Sequence, residues 1–456
     1  MADDERGVAK EALDTRRVSA ILDAVKTSDT AELTRLLEPM HAADVADLLE
    51  QISGEDRRHL LAMWSGEIDG DILSEISDAI REEVIELLPR SVVAEAMRDL
   101  DTDDVVDILE DLEEPAQEAI LSTLDSADRL AVQQALSYPE YSAGRLMQRE
   151  VVTAPEHWTV GEMIDHLRSV DWLPDQFYHV ILVDPRMKPV SYVTLGRLLS
   201  ARREVALKAI VEDSFRTIEA SDAEADVAYL FNQYHLISCP VVDLHGRLVG
   251  VITIDDAMNV LDEEHQEDML RMAGVDDEAT LSDTVWEATK GRALWLFVNL
   301  LTAILASLVI SAFAETIEQM VALAVLMPIV ASMGGNAGTQ SMTVAVRALA
   351  TRDLTPRNAP RVIRREVAVG AINGAVFGLL MALVAGVWFG VPMLAAVIGL
   401  AMVLTLMAAA FGGIAIPMAL ERAGVDPALA SGPFVTTVTD VVGFFAFLGL
   451  ASWMLL

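Results

Sequence analysis

The sequence predicts a multidomain membrane protein: an α-helical solenoid N-domain, a tandem pair of α/β modules, and an all-α transmembrane domain of five helices. Three observations carry this. First, a formal charge of −37 coexists with 52% apolar residues and a mean hydropathy of +0.36. Very acidic chains are ordinarily hydrophilic, so two unlike parts must share one polypeptide. Second, the charge divides unevenly. From Gly291 onward there are 8 Arg, no Lys and 7 Asp or Glu, a net +1, which leaves 25 basic and 63 acidic residues, a net −38, in residues 1–290. Third, the hydrophobic pattern changes twice, from helical spacing to β-branched runs to long apolar stretches.

The acidic part excludes several classes. A region of −38 repels phosphate, so no nucleic-acid partner is expected. Apolar residues recur throughout it, which argues against a disordered tail. One cysteine, Cys239, allows no intramolecular disulfide and no Cys-rich metal site. The opening MADDERGVAKEALDTRR has no apolar signal segment, so the N-terminus is expected in the cytoplasm. The length implies about three domains.

Residues 1–137 are expected to form the acidic helical N-domain. ADVADLLEQI at 43–52 places Val45, Leu48, Leu49 and Ile52 at helical spacing and recurs as DDVVDILEDL at 103–112. Short helices carrying such a repeat predict a small α-solenoid. Asp101, Asp103, Asp104, Asp107, Glu110 and Asp111 crowd one stretch. They form either a solvated face or a face that needs cations to sit against another acidic surface.

Residues 138–208 and 209–261 repeat each other. HVILVDPRMKPVSYVTLGRLL (179–199) parallels SCPVVDLHGRLVGVITIDDAM (238–258), each running strand, turn, strand, helix. This pair resembles tandem CBS domains, a regulatory module. Thr253 and Asp256 match the Thr-x-x-Asp that holds a nucleotide ribose in CBS domains. ATP or another adenine nucleotide is thus a candidate ligand of the second copy. The first copy has Arg197 in place of the Asp and Ser191 in place of Gly250. Cys239 reads as a small buried residue.

Residues 257–290 are expected to form one long acidic helix, with 262–290 as the connection into the membrane. Asp262, Glu263, Glu264, Glu267 and Asp268 crowd two of its turns. The like-charge i,i+4 pairs Glu263–Glu267 and Glu264–Asp268 each cost roughly 0.2–0.5 kcal/mol unless a cation intervenes.

The transmembrane domain, 291–456, holds five apolar stretches at about 294–314, 320–346, 366–390, 392–418 and 432–456. Each reaches the ~20 residues that cross a bilayer. With the N-terminus inside, all eight basic residues of this domain face the cytoplasm and the C-terminus lies outside. The second stretch contains Pro328, Gly334, Gly335 and Gly338, which are expected to break the helix and expose carbonyls beside Asn336, Thr339 and Gln340. The fifth contains Asp440, the one acidic residue deep within a stretch, flanked by Thr436, Thr437 and Thr439. An intramembrane carboxylate with no Lys or Arg near its depth points to a cation site. Oxygen ligands suit hard ions, and few carboxylates suit Mg²⁺ held through its hydration shell. Two copies would supply two Asp440 carboxylates for one divalent ion, which points to a homodimer. Gly370, Gly374 and Gly378 form a GxxxGxxxG face that packs within or between subunits.

Taken together, the motifs MPIVASMGGNAGTQ (327–340), DPALASGPFVTTVTDVVGFF (426–445) and YPEYSAGRLM (138–147) resemble the MgtE-type magnesium channel/transporter family along nearly the whole chain. The resemblance implies a homodimeric, non-enzymatic Mg²⁺ channel in a bacterial inner membrane, with its pore on the two-fold axis and Mg²⁺ between acidic domains closing it. Candidate cation ligands are Asp440, Asn336, Gly334, Gly335 and Thr339 in the spans and Asp426 before the fifth. In the acidic region they are Asp104, Asp107, Asp255, Asp256, Asp262, Glu263, Glu264 and Glu267. The competing readings are a Co²⁺ or Mn²⁺ channel and a membrane-anchored nucleotide sensor. An anchor needs neither Asp440 nor a glycine-rich second span.

Overall fold

The computed structural model describes residues 13–110, 112–170, 173–174, 176–276, 279 and 284–455. Asp111 of the acidic stretch, the first residues of the N-terminus and part of the 257–290 segment lie outside these. The chain divides into two compact units at Leu261/Asp262.

The first unit opens with ten short helices: α1 (Thr15–Thr27), α2 (Thr30–Leu37), α3 (Ala42–Gln51), α4 (Gly54–Trp64), α5 (Gly70–Ser74), α6 (Asp78–Leu87), α7 (Arg90–Asp99), α8 (Thr102–Glu110), α9 (Glu114–Leu121) and α10 (Ser126–Ala135). The repeated motif falls on α3 and α8, and its apolar positions Val45, Leu49, Val105 and Leu109 are all buried in one core. Part of the negative charge has a local use. The side chains of Asp29, Asp69 and Asp125 accept hydrogen bonds from backbone N–H groups at the starts of α2, α5 and α10, satisfying donors that a helix leaves orphaned.

The α/β pair follows. After α11 (Ala143–Leu146), the first copy contains β1 (Thr153–Pro155), α12 (Val160–Leu167), β2 (His179–Val183), β3 (Pro189–Thr194) and α13 (Leu195–Ser200). The second contains β4 (Ile218–Glu219), α14 (Glu224–Tyr234), β5 (Ser238–Val242), β6 (Leu248–Thr253) and α15 (Ile254–Met272). Each copy is a three-stranded sheet with one parallel and one antiparallel pairing, and each register shifts at the same place, Leu182/Val183 and Val241/Val242. The matched aspartates explain the repeat. Asp184 accepts from the N–H of Arg186 and Lys188, and Asp243 from that of His245 and Arg247, closing equivalent turns. These N–H groups, that of Arg247 foremost, and the Arg247 guanidinium hold Asp243 at about 2. Cys239 is buried, and burial pushes its thiol up to about 12. In the first copy Arg197 pairs with Glu212 at 2.8 Å.

The connecting segment departs from a single helix over 257–290. α15 stops at Met272. Gly274 adopts φ +71°, and the N–H groups of Gly274 and Val275 donate to the carbonyls of Arg271 and Leu270. That is a glycine-terminated C-cap, the stop that Ala273-Gly274 specifies and that the acidic pattern alone did not reveal.

Among the described residues, the second unit contains five helices long and apolar enough to cross a membrane: α16 (Val285–Ser311), then, after the short α17 (Ala314–Gln319), α18 (Ala322–Ala350), α19 (Ala359–Phe389), α20 (Pro392–Arg422) and α21 (Pro427–Leu455). α20 is the most enclosed, with Leu394, Val397, Ile398, Ala401, Ala409 and Ile414 at 0% exposure. The glycine face of α19 packs within the chain, against α20. A Cβ on Gly374 would lie 2.7 Å from Val403 Cα, and one on Gly378 would lie 2.6 Å from Gly399 O. Gly374→Leu must therefore push two backbones apart, a misfit whose usual cost is about 1–3 kcal/mol. It is expected to lower the thermal unfolding midpoint of the detergent-purified protein, whereas Gly386→Ala, whose nearest neighbour is at 3.5 Å, leaves it nearly unchanged.

The second span is also not broken. α18 is continuous through Pro328 and the glycines. Without water to satisfy a freed backbone, helix is the favoured state, so the carbonyls of Gly334 and Gly335 belong to the helical ladder rather than standing exposed. Gly334 and Gly338 serve packing instead, whereas a Cβ on Gly335 would meet nothing within 4 Å. A Cβ on Gly334 would meet Thr405 at 2.8 Å, and one on Gly338 would meet Val435 at 2.7 Å. They let α18 press against α20 and α21.

Candidate cation sites

The close approach at Gly334 and Gly338 brings α18 against Thr439 of α21, the neighbour of Asp440. Thr439 is fully buried in this crossing, which leaves Asp440 half-buried at its edge. The threonines around it donate inward: Thr436 to Gly432 O at 2.9 Å, Thr437 to Pro433 O at 2.6 Å, and Thr439 to Thr436 O at 2.9 Å. On α18, Ser332, Asn336, Thr339, Gln340 and Thr343 are all exposed, spaced three or four apart along one face. Among the described residues, neither Asn336 nor Asp440 has a hydrogen-bond or ion-pair partner. A polar stripe midway along a membrane helix cannot face lipid without large cost. It must meet protein or water.

A second acidic group surrounds the end of α15. Met272 packs on Met342, Val346, Ala428 and Val435, so this end of the helix rests on α18 and the start of α21. Arg271 binds Glu267 at 2.9 Å and Asp426 at 3.1 Å. Glu264 and Asp268 are half-buried beside them. Burial, then neighbouring carboxylates, raises both above the usual carboxylate range. The structure thus joins Glu264, Glu267 and Asp426 as candidate ligands. Asp262 and Glu263 are exposed, and Asp262 accepts from Gln266 at 2.7 Å. Sequence reasoning left out the balancing charge of Arg271, although its i+4 spacing from Glu267 was a signal.

The third group lies where α8 and α15 begin. Asp103 and Asp104 occupy the first turn of α8, and Asp255 and Asp256 the first turn of α15. Each pair is favoured by its own helix dipole, but the pairs repel one another. Burial foremost and then the charge of Asp256 raise Asp104 to about 7 and push Asp103 well above its usual range. Burial and Asp255 raise Asp256 to about 7, offset in part by the Thr253 hydroxyl, which donates to it at 2.7 Å. α8 is held here by Thr102, which donates to Glu150 at 2.7 Å, and by Asp101, which accepts from Gln148 at 3.3 Å. Asp107 is placed differently. Arg81 pairs with it at 3.0 Å and with Asp78 at 3.1 Å, which offsets its charge only in part: burial still holds it above the usual carboxylate range, and its charge adds to the repulsion on Asp104 and Asp256. Among the described residues, no three His, Cys, Asp or Glu side chains converge closely enough to hold a bare ion. The acidic faces fit an ion that keeps its water shell.

The cleft between the two α/β copies measures ≈ 20 Å³, lined by Gln148, Glu150, Tyr178, His179, Ser238 and Thr253. That is room for about one water. Thr253 borders it, while the carboxylate of its motif partner Asp256 turns to the aspartates of α8.

Matches to known proteins follow this organisation. A family model described as "Divalent cation transporter", MgtE, matches residues 327–450. The MgtE intracellular N domain matches 40–141, and CBS domains match 143–204 and 207–263. The magnesium transporter MgtE of Bacillus subtilis (strain 168) is 31% identical over 332 residues, 73% of this chain and 74% of its own. That of Thermus thermophilus is 35% identical over 338 residues, again 73% and 74%. The chain belongs to the MgtE family of divalent cation transporters. A crystal structure of the cytosolic domain of the Mg²⁺ channel MgtE in complex with ATP superposes with a TM-score of 0.50 at 28% identity, covering 53% of this chain and 99% of that one.

The MgtE transporter match contains the polar face of α18, Asp426 and Asp440. The MgtE N-domain match contains Asp103 and Asp104, and the second CBS match contains Thr253, Asp255 and Asp256. Glu264 and Glu267 fall between matches.

Proposed function

We propose that this MgtE-family chain is a magnesium-selective channel whose ion passes Asp440 and whose opening is controlled by cytoplasmic Mg²⁺. The observation that carries the reading is the unpartnered carboxylate beside an exposed polar stripe in the middle of two membrane-spanning helices. A second copy related by a two-fold axis would cover that stripe and bring two Asp440 carboxylates to one divalent ion, so the active form is a homodimer. The basic residues of the membrane domain lie on the cytoplasmic side, with the N-terminus inside and the C-terminus outside. Mg²⁺ between the aspartates of α8 and α15, and beside Glu264, Glu267 and Asp426, favours the compact arrangement of these faces. An ion that binds one form better shifts the population toward it, and a replete cell thereby closes its own channel. The names of the relatives support magnesium as the cargo. The deciding experiment is flux into liposomes bearing the purified full chain, with Mg²⁺, Co²⁺ and Mn²⁺ compared. A rate for Co²⁺ or Mn²⁺ above that for Mg²⁺ would overturn the assignment of cargo.

ATP is the proposed ligand of the second CBS copy, supported by the ATP complex of the related cytosolic domain. Because the cleft beside Thr253 has room for little more than a water, binding must open it. Thr253→Val is expected to weaken ATP binding in calorimetry on the full chain. Arg197→Ala, at the matching position of the first copy, leaves it unchanged.

A further inference from the structure

The start of α19 and the end of α20 bound a cleft of ≈ 600 Å³, lined among others by Pro356, Ile363, Arg364, Met418, Ala419 and Arg422. That volume lies within the roughly 300–1,000 Å³ common for small-ligand sites. Among the described residues, no acidic side chain lines it. Arg364 donates to Pro360 O at 3.0 Å. Among the described residues, neither Arg364 nor Arg422 forms an ion pair, whereas Arg81, Arg145 and Arg271 all do. Two unneutralised guanidinium groups, one from each helix, thus share a cleft whose other walls are apolar. Guanidinium forks match phosphate geometry. On α19 the cleft is followed by Ile372, Val376, Leu379 and Leu383, spaced along one face and each more than half exposed.

We propose that this cleft binds the headgroup of an anionic phospholipid, its phosphate held by Arg364 and Arg422 and its acyl chains lying along the exposed face of α19. Basic pockets between membrane helices recognise such headgroups. A free phosphate would use the arginines but gain nothing from Ile363, Met418 or the apolar ribbon, so the lipid is the better fit. The site lies on a different helix pair from Asp440 and stands independently of the transport reading.

The test is lipid retention by the full-length protein, measured by native mass spectrometry after exchange into detergent doped with equal phosphatidylglycerol and phosphatidylcholine. With each basic residue at an anionic surface worth about fivefold, the wild type is expected to prefer phosphatidylglycerol by about thirtyfold. Arg364→Gln with Arg422→Gln brings the preference close to parity. Arg364→Lys with Arg422→Lys keeps most of it, which separates loss of charge from loss of fold. Arg361→Gln, outside the cleft, leaves it unchanged. No preference in the wild type, or an undiminished preference in the Gln double variant, would overturn the proposal. So would displacement of the lipid by millimolar inorganic phosphate, which would mark a free-anion site. Mg²⁺ flux in pure phosphatidylcholine liposomes reports the channel reading separately.

Discussion

Asp440→Asn is expected to reduce Mg²⁺ flux by at least a hundredfold while the protein still inserts and folds. The substitution keeps the shape of the side chain and removes its charge. At an effective dielectric of 20, a unit charge pair 4 Å apart is worth about 4 kcal/mol, close to three powers of ten in occupancy. Among the described residues no other partner offsets that loss. Insertion is not impaired, because a charged residue at mid-membrane itself costs about 2.5–3.5 kcal/mol. Asn336→Ala removes a neutral amide from the exposed face of α18 and is expected to reduce flux less. Both are read as Mg²⁺ entry into liposomes loaded with a Mg²⁺-sensitive dye, normalised to reconstituted protein. Wild-type flux in a well-folded Asp440→Asn protein would remove Asp440 from the pathway.

The second large effect concerns the acidic faces of the cytoplasmic unit. Asp104 and Asp256 are held at about 7 in the compact arrangement. A separated, solvated aspartate ionises near 3.9. The compact form therefore takes up protons across this interval. Its stabilising contribution is complete below about 3.9 and is lost as pH rises through about 7. At neutral pH the faces repel, and a hydrated divalent ion offsets the repulsion. Protons and Mg²⁺ thus act in the same direction. The Mg²⁺ needed to protect the unit from protease is expected to fall as pH drops from 7.5 to 5.5. Asp104→Asn with Asp256→Asn imitates protonation and should protect it without Mg²⁺, biasing the channel toward closure. Limited proteolysis of the full chain in detergent, at several pH values with and without Mg²⁺, measures both. Protection of the double variant that still requires as much Mg²⁺ as the wild type would defeat this account.

Several features follow from the sequence by itself because they depend on neighbours along the chain. The five membrane helices follow from apolar runs long enough to span a bilayer. The buried faces of α3 and α8 follow from a repeat at helical spacing, and the equivalent turns of the α/β copies from matched Asp184 and Asp243. Asp440 stood out because no cation shares its depth in the membrane. Other features were decided only in three dimensions. The continuity of α18 was one: glycines that read as breaks along the chain become contact points when Thr405 and Val435 fill the space beside them. The GxxxGxxxG face of α19 found its partner in α20 of the same chain, a choice that spacing leaves open. Asp107, one more acid in a crowded stretch, shares with Asp78 the guanidinium of Arg81, which lies 26 residues earlier, and Glu267 and Asp426 meet at Arg271 across more than 150 residues. Charge interactions depend on distance in space and on burial, and a sequence records neither. It could therefore show that carboxylates were in excess, but only the folded chain shows which of them are paired and which still repel.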